Sequence, residues 1–242
     1  MSQLVLSVDD YLQQSAAYTW IIESILPVGG KLLLYGDPKV GKSFHALSLA
    51  RAIAGLEKEW LGFPVTHPGP VVYLQLDTPR SLWQERLAKI RGQGHLFDGV
   101  YIADRETLKA WPFDILHLDH STLLREIVAH YKPVCVVIDV IREIHSMKES
   151  SNDEMPIVMK AIEAATHPCA LVFLTHAKKP MPEGEPDLIN DIRGASYFAG
   201  SVDTIMRATE RGVYYTGRAI EGGVVWCERT SNGLWRPCGQ PE

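Results

Sequence analysis

Cysteine is scarce in this 242-residue chain, and the four present, Cys135, Cys169, Cys227 and Cys238, show no CxxC spacing, while two fall inside strand-like apolar runs. Neither a disulfide framework nor a zinc site is indicated, and a reduced, cytoplasmic protein is expected. Long hydrophobic runs are missing as well: none reaches the roughly 18 residues that a membrane span needs. The amino-terminal stretch "MSQLVLSVDDYLQQ" has no basic region leading into a long apolar segment, so neither secretion nor a membrane partner is expected. Basic charge is not in excess. With 24 Lys and Arg against 29 Asp and Glu, the formal net charge is -5, which argues against coating nucleic acid by bulk charge but leaves a local basic stripe open. Internal repeats and long low-complexity tracts are lacking. The stretch "HLDH", from His117 to His120, matches no zinc spacing, and the six tryptophans are scattered, which favours core packing over base stacking.

What is present is an α/β pattern. An apolar content of 46% in 242 residues is enough for one domain with a substantial core. Apolar residues at mixed helical spacing predict a helix and a turn over residues 9–26. Buried strands are expected at residues 31–35, at "VVYLQL", at "PVCVVID" and at "CALVFLT", with a shorter one at "GVYIAD". Helices are expected near residues 43–55, 79–91, 121–131 and 154–166. Strands alternating with helices imply βαβ crossovers and a mostly parallel sheet. After residue 200 the short segments "SVDTIMRA", "GVYYTGR" and "GGVVWCERT" read as an antiparallel extension. The expected organisation is one domain over residues 1–242: a lead-in at 1–28, a nucleotide-binding core at 29–200 and carboxy-terminal strands at 201–242.

Between the first strand and the helix that follows lies "GDPKVGKS", which fits GxxxxGK[ST] with Gly36, Gly41, Lys42 and Ser43 at the defining places. The candidate phosphate cradle is Gly36, Asp37, Pro38, Lys39, Val40, Gly41, Lys42, Ser43 and Phe44. Its glycines let backbone N–H groups face the phosphates, and the helix adds the positive end of its dipole. Lys42 would bridge phosphate oxygens and Ser43 would ligate magnesium, so ATP and Mg2+ are the expected cofactors. Asp139 ends an apolar strand, where α/β folds bind ligands, and is the candidate for holding the metal through a water. The residue after it is Val140, so a base that activates water must come from elsewhere or hydrolysis must be slow.

The ordered set "GDPKVGKS", "VVYLQLDTPRSLWQERL", "VVIDVI", "LTHAKK" and "DIRGASYFAGSVDTIMRA" resembles the RecA-like ATPases of the RepA and replicative-helicase group. The resemblance implies a RecA-like P-loop NTPase core of class α/β. It puts Asp77 in the place of that family's catalytic glutamate, one methylene shorter, by alignment of Arg86 and Leu87 with the family's Arg-Leu pair. It puts His176 in the place of the residue that senses the γ-phosphate. Arg193 then falls in the segment beside the nucleotide, and Arg218, with Arg211 in reserve, falls near the basic finger offered to a neighbouring subunit. A homo-oligomer, as a hexameric ring or filament, is implied, with single-stranded DNA and replication or recombination proteins as partners. The segment "KKPMPEGEPD" occupies the region of the family's DNA-touching loops, but its mixed charge leaves DNA contact open. An ATPase acting on protein partners, or as a regulatory assembly module without nucleic acid, is the alternative.

Overall fold

The computed structural model describes residues 5–13, 18–92, 94, 96–109, 112–178, 186–192, 196–231 and 233–240. The chain opens with α1 (Val8–Gln13), which buries none of its residues, followed by the hairpin strands β1 (Trp20–Ile22) and β2 (Leu26–Pro27). Among the described residues, the helix expected over residues 9–26 is found at Val8–Gln13, and a strand hairpin takes Trp20–Pro27. Ile21 and Ile22 are adjacent and both buried, and such short β-branched runs fit a strand as well as a helix face.

The core then alternates strands and helices. β3 (Lys31–Gly36) leads into α2 (Lys42–Ile53), a small hairpin of β4 (Glu59–Trp60) and β5 (Phe63–Pro64) follows, and β6 (Val71–Gln75) leads into α3 (Arg80–Arg91). Next come β7 (Val100–Asp104), the short α4 (Arg105–Leu108), α5 (Leu118–Tyr131) and β8 (Cys135–Asp139). A 3-10 turn at Ile141–Ile144, α6 (Met155–Thr166), β9 (Ala170–His176) and α7 (Ser196–Ser201) complete this part. The carboxy-terminal strands are β10 (Thr204–Ala208), β11 (Gly212–Gly217), β12 (Gly223–Arg229) and β13 (Trp235–Pro237).

Nine strands form one sheet in the order β13-β12-β11-β10-β3-β9-β8-β6-β7. From β7 to β10 every pairing is parallel, and from β10 to β13 every pairing is antiparallel. β10, expected among the antiparallel strands, instead runs parallel to β3. The long connection after β9 returns the chain to the starting end of the sheet, as a parallel entry requires. All residues of β6 and of β8 are buried, the mark of strands covered on both faces. One apolar layer packs α2 and α3 against Leu32, Leu34, Val71, Tyr73 and Val137; the other packs α5 and α6 against Leu33, Val72, Leu74, Val136 and Ile138. Alternate residues of each strand thus feed opposite layers, which holds the carboxyl ends of β3, β9, β8 and β6 side by side.

Candidate active site

β3 ends at Gly36, and the loop to α2 closes at Gly41. Gly41 has φ +98, and a Cβ there would lie 2.9 Å from Trp235 Nε1. At Gly36 a Cβ would fall 2.4 Å from the carbonyl oxygen of Ala208. Both glycines are thus dictated by close packing, and Gly41 also by a left-handed backbone. Lys42 begins α2 and is 7% exposed. Its Nζ donates to the carbonyl oxygens of Gly36 at 3.0 Å and Asp37 at 2.9 Å. Burial lowers the Lys42 pKa, opposed by the charges of Asp139, Asp37 and Asp77.

The sheet order inserts β9 between the P-loop strand β3 and the Asp139 strand β8. His176, at the end of β9, therefore lies beside the loop, its Nδ1 3.4 Å from Lys42 Nζ. Asp139 is 3% exposed and accepts from the Tyr73 hydroxyl at 2.8 Å. Burial raises its pKa, while hydrogen bonds from Tyr73 and Ser43 pull it back. Asp77 follows the neighbouring strand β6 and is exposed. A cavity of about 380 Å³ is lined by Lys42, Ser43, Asp77, Asp139 and His176, together with Arg86 and Arg229. Lys42 and Ser43 follow β3, Asp77 follows β6, and Asp139 and His176 end β8 and β9, while Arg86 comes from α3 and Arg229 from the end of β12.

The remaining sequence candidates lie around that cavity or away from it. Lys39, Gly41 and Phe44 also border it. Asp37, Pro38, Lys39 and Val40 line a second cavity of about 500 Å³ with Arg211, Tyr214 and Trp226. Arg207, fully buried on β10, pairs with Asp191 and lies 3.7 Å from Asp37, tying the loop to the segment after β9. Arg218 follows β11 at the end where Gly217 faces Thr204, opposite the P-loop end of the sheet. Its guanidinium donates to the carbonyl of Gly200 at 2.7 Å. Arg193 lies outside the described residues, as do Lys179, Glu183 and Glu185.

Several groups in or beside these cavities escape the sequence pattern or enter it in another role. Tyr73, which bonds Asp139 without lining the cavity, gives no signal beyond its place in an apolar strand, and Arg211 is expected only as the reserve for a basic finger. Arg211, Tyr214 and Trp226 come together only because β10 to β12 form consecutive hairpins: Arg211 sits in the β10–β11 turn and Trp226 pairs with Gly212 across the β11–β12 ladder. Tyr214 and Trp226 meet edge to face, their ring centroids 6.1 Å apart.

A family model described as an AAA domain matches residues 2–181. The chain belongs to the AAA-domain family. It is an AAA/RecA-like P-loop ATPase, and the sheet described above, parallel through β10 with antiparallel strands after it, is a P-loop NTPase core. No curated protein gives a significant match. The AAA-domain match spans the P-loop, Asp77, Asp139 and His176 and ends before β10. Among the described residues no helix is long and apolar enough to cross a membrane, and no group of three or more His, Cys, Asp or Glu side chains is placed to hold a metal ion.

The residues present fit a magnesium nucleotide. Ser43 and Asp139 offer hard oxygen donors of the kind magnesium takes, in a number that leaves room for water and phosphate. The buried Lys42 ammonium lies among the loop's backbone carbonyls rather than in solvent, as a cation poised to take phosphate oxygens in their place would.

Proposed function

We propose that this AAA/RecA-like chain is a magnesium-dependent ATPase of the RepA and replicative-helicase type, which hydrolyses ATP at the interfaces of a homo-oligomer to move or remodel single-stranded DNA. The observation that carries the hydrolytic part is the convergence of Lys42, Ser43, Asp77, Asp139 and His176 on one cavity. Lys42 would trade its loop carbonyls for phosphate oxygens. Ser43 would hold the metal directly and Asp139 through a water. Bound magnesium would neutralise charge on the phosphates. Asp77, exposed at the cavity mouth, would accept a proton from the attacking water. His176, hydrogen-bonding distance from Lys42, would feel whether a terminal phosphate is in place.

The second cavity shares the lining residue Lys39 with the first and supplies two aromatic rings and an arginine. Such a pocket suits the flat base of the nucleotide. Arg218 would work in trans, which makes turnover depend on assembly.

A second reading, in which the same ATPase acts on protein partners, is favoured by the charge near the segment after β9. Among its described residues Lys178 is exposed, while Asp187 and Asp191 are acidic. Phosphate release from magnesium ATP, measured over a range of protein concentrations with and without single-stranded DNA, tests both. A rate that rises with protein and with DNA, and loses its DNA response as salt increases, supports the motor. Dependence on protein concentration alone supports action on partners, and absence of turnover overturns the hydrolytic reading.

A further inference from the structure

The family match ends at residue 181, yet the hairpin of β12 and β13, well beyond it, folds back onto the first turn of α2. Three contacts fix it there. Trp235 lies nearly flat on His45, with 4.6 Å between ring centroids and 14° between planes. The edge of the same indole closes on Gly41, and at Gly233 a Cβ would sit 2.8 Å from the ring of Phe44. No side chain fits at either glycine.

Arg229 is the last residue of β12, so this closure carries its guanidinium over the Phe44 ring, Cζ 4.6 Å from the centroid. Its Nε donates to the Gly233 carbonyl at a long 3.4 Å. Among the described residues no carboxylate pairs with it, although it stands on the rim of a cavity that holds two. Arg86 reaches the same ring from α3, at 5.6 Å. A guanidinium held over a ring by its carbon keeps terminal N–H donors to offer a ligand, and those donors match phosphate oxygens in pairs. The charges lining the cavity agree: Lys39, Lys42, Arg86 and Arg229 against Asp77 and Asp139 leave a surplus of two positive charges. That surplus complements a triphosphate whose charge magnesium has reduced to about two negative.

We infer that Arg229 binds the phosphate chain of the nucleotide held by the P-loop of its own chain, a contact in cis delivered by the closure of the β12–β13 hairpin. It rests on the ATP reading above. It assigns the hairpin a part in binding, distinct from any arginine supplied by a neighbouring copy. Because Trp235 and Arg229 sit on one hairpin, a phosphate that draws in Arg229 also presses Trp235 onto the loop glycine.

The test is calorimetric titration of full-length protein with magnesium ATP, ADP and AMP, for wild type, Arg229→Gln and Arg229→Lys, with melting temperature followed for each. ATP affinity is expected to fall about ten- to a hundredfold in Arg229→Gln, as for loss of charged hydrogen bonds. It should fall less in Arg229→Lys, and the loss should shrink from ATP to AMP. ATP affinity within twofold of wild type in Arg229→Gln overturns the inference, as does an equal loss for all three nucleotides, which marks a folding defect. Wild type that binds no nucleotide overturns the ATP reading instead. Mixing Arg229→Gln with Lys42→Ala subunits separates cis from trans: no recovery of ATP binding is expected, and recovery would show that the arginine serves a neighbour.

Discussion

The Tyr73 hydroxyl donates a 2.8 Å hydrogen bond to Asp139 Oδ2 across the adjacent parallel strands β6 and β8. Both residues are buried, so this bond is one of the few forces that keep the carboxylate ionised against the burial that raises its pKa. Ionised Asp139 is the form that would hold a metal, so magnesium-ATP affinity should rise as pH climbs through its raised pKa. Tyr73→Phe removes a donor to the charged form and should move that midpoint to higher pH. A pH series of ATP titrations on the two proteins checks the displacement.

Asp77 stands at the cavity mouth with one methylene fewer than a glutamate. Asp77→Glu should raise the rate of phosphate release, and Asp77→Asn should abolish most of it with ATP affinity little changed. Unchanged turnover in Asp77→Asn would make the residue a loop cap.

Gly41→Ala places a Cβ against Trp235 at a left-handed φ of +98. A cost of about 1–2 kcal/mol is expected from the backbone alone, before the clash. Denaturant unfolding should show the stability loss, and nucleotide binding should fail at temperatures where the variant is still folded.

His45 is fully buried on Trp235, and burial, then the Arg229 charge, lowers its pKa to about 3. Between about 6.5 and 3 the unfolded chain takes up a proton there that the folded chain refuses, so stability falls as pH falls through that window. The fully developed effect is on the order of 5 kcal/mol. His45→Leu lacks this term, so its unfolding free energy relative to wild type should climb steadily as pH drops from 6.5 to 4.

Arg211 and Arg218 lie at opposite ends of β11. Arg211→Ala should weaken ATP affinity about tenfold through the aromatic cavity. Arg218→Ala should leave affinity alone and remove the dependence of turnover on protein concentration. Exchange of these two phenotypes would reverse the assignment.

The P-loop was legible because glycine spacing, lysine and serine are contiguous, and a left-handed Gly41 leaves its mark directly in the sequence. Asp139 was legible because an unbroken apolar run stops at it. The hairpin at Trp20–Pro27 was not, since two adjacent isoleucines satisfy a helix and a strand alike. Nor was the direction of β10, because parallel and antiparallel strands of five residues have the same composition and only the return path of the chain decides. Arg229, Trp226 and the place of Arg211 beside the loop were out of reach for a third reason. They are brought to the loop by the curl of consecutive hairpins, a tertiary event that no local pattern encodes.

The strand β9 is bonded to β8 as far as Phe173 and to β3 as far as His176, which pairs with Gly36, so the backbone that carries the imidazole is placed by sheet register. A slip of one residue would shift His176 by about 3.3 Å and turn it to the other face of the sheet. The central strand thus serves as a ruler laid between loop and carboxylate, and its graduations are backbone hydrogen bonds.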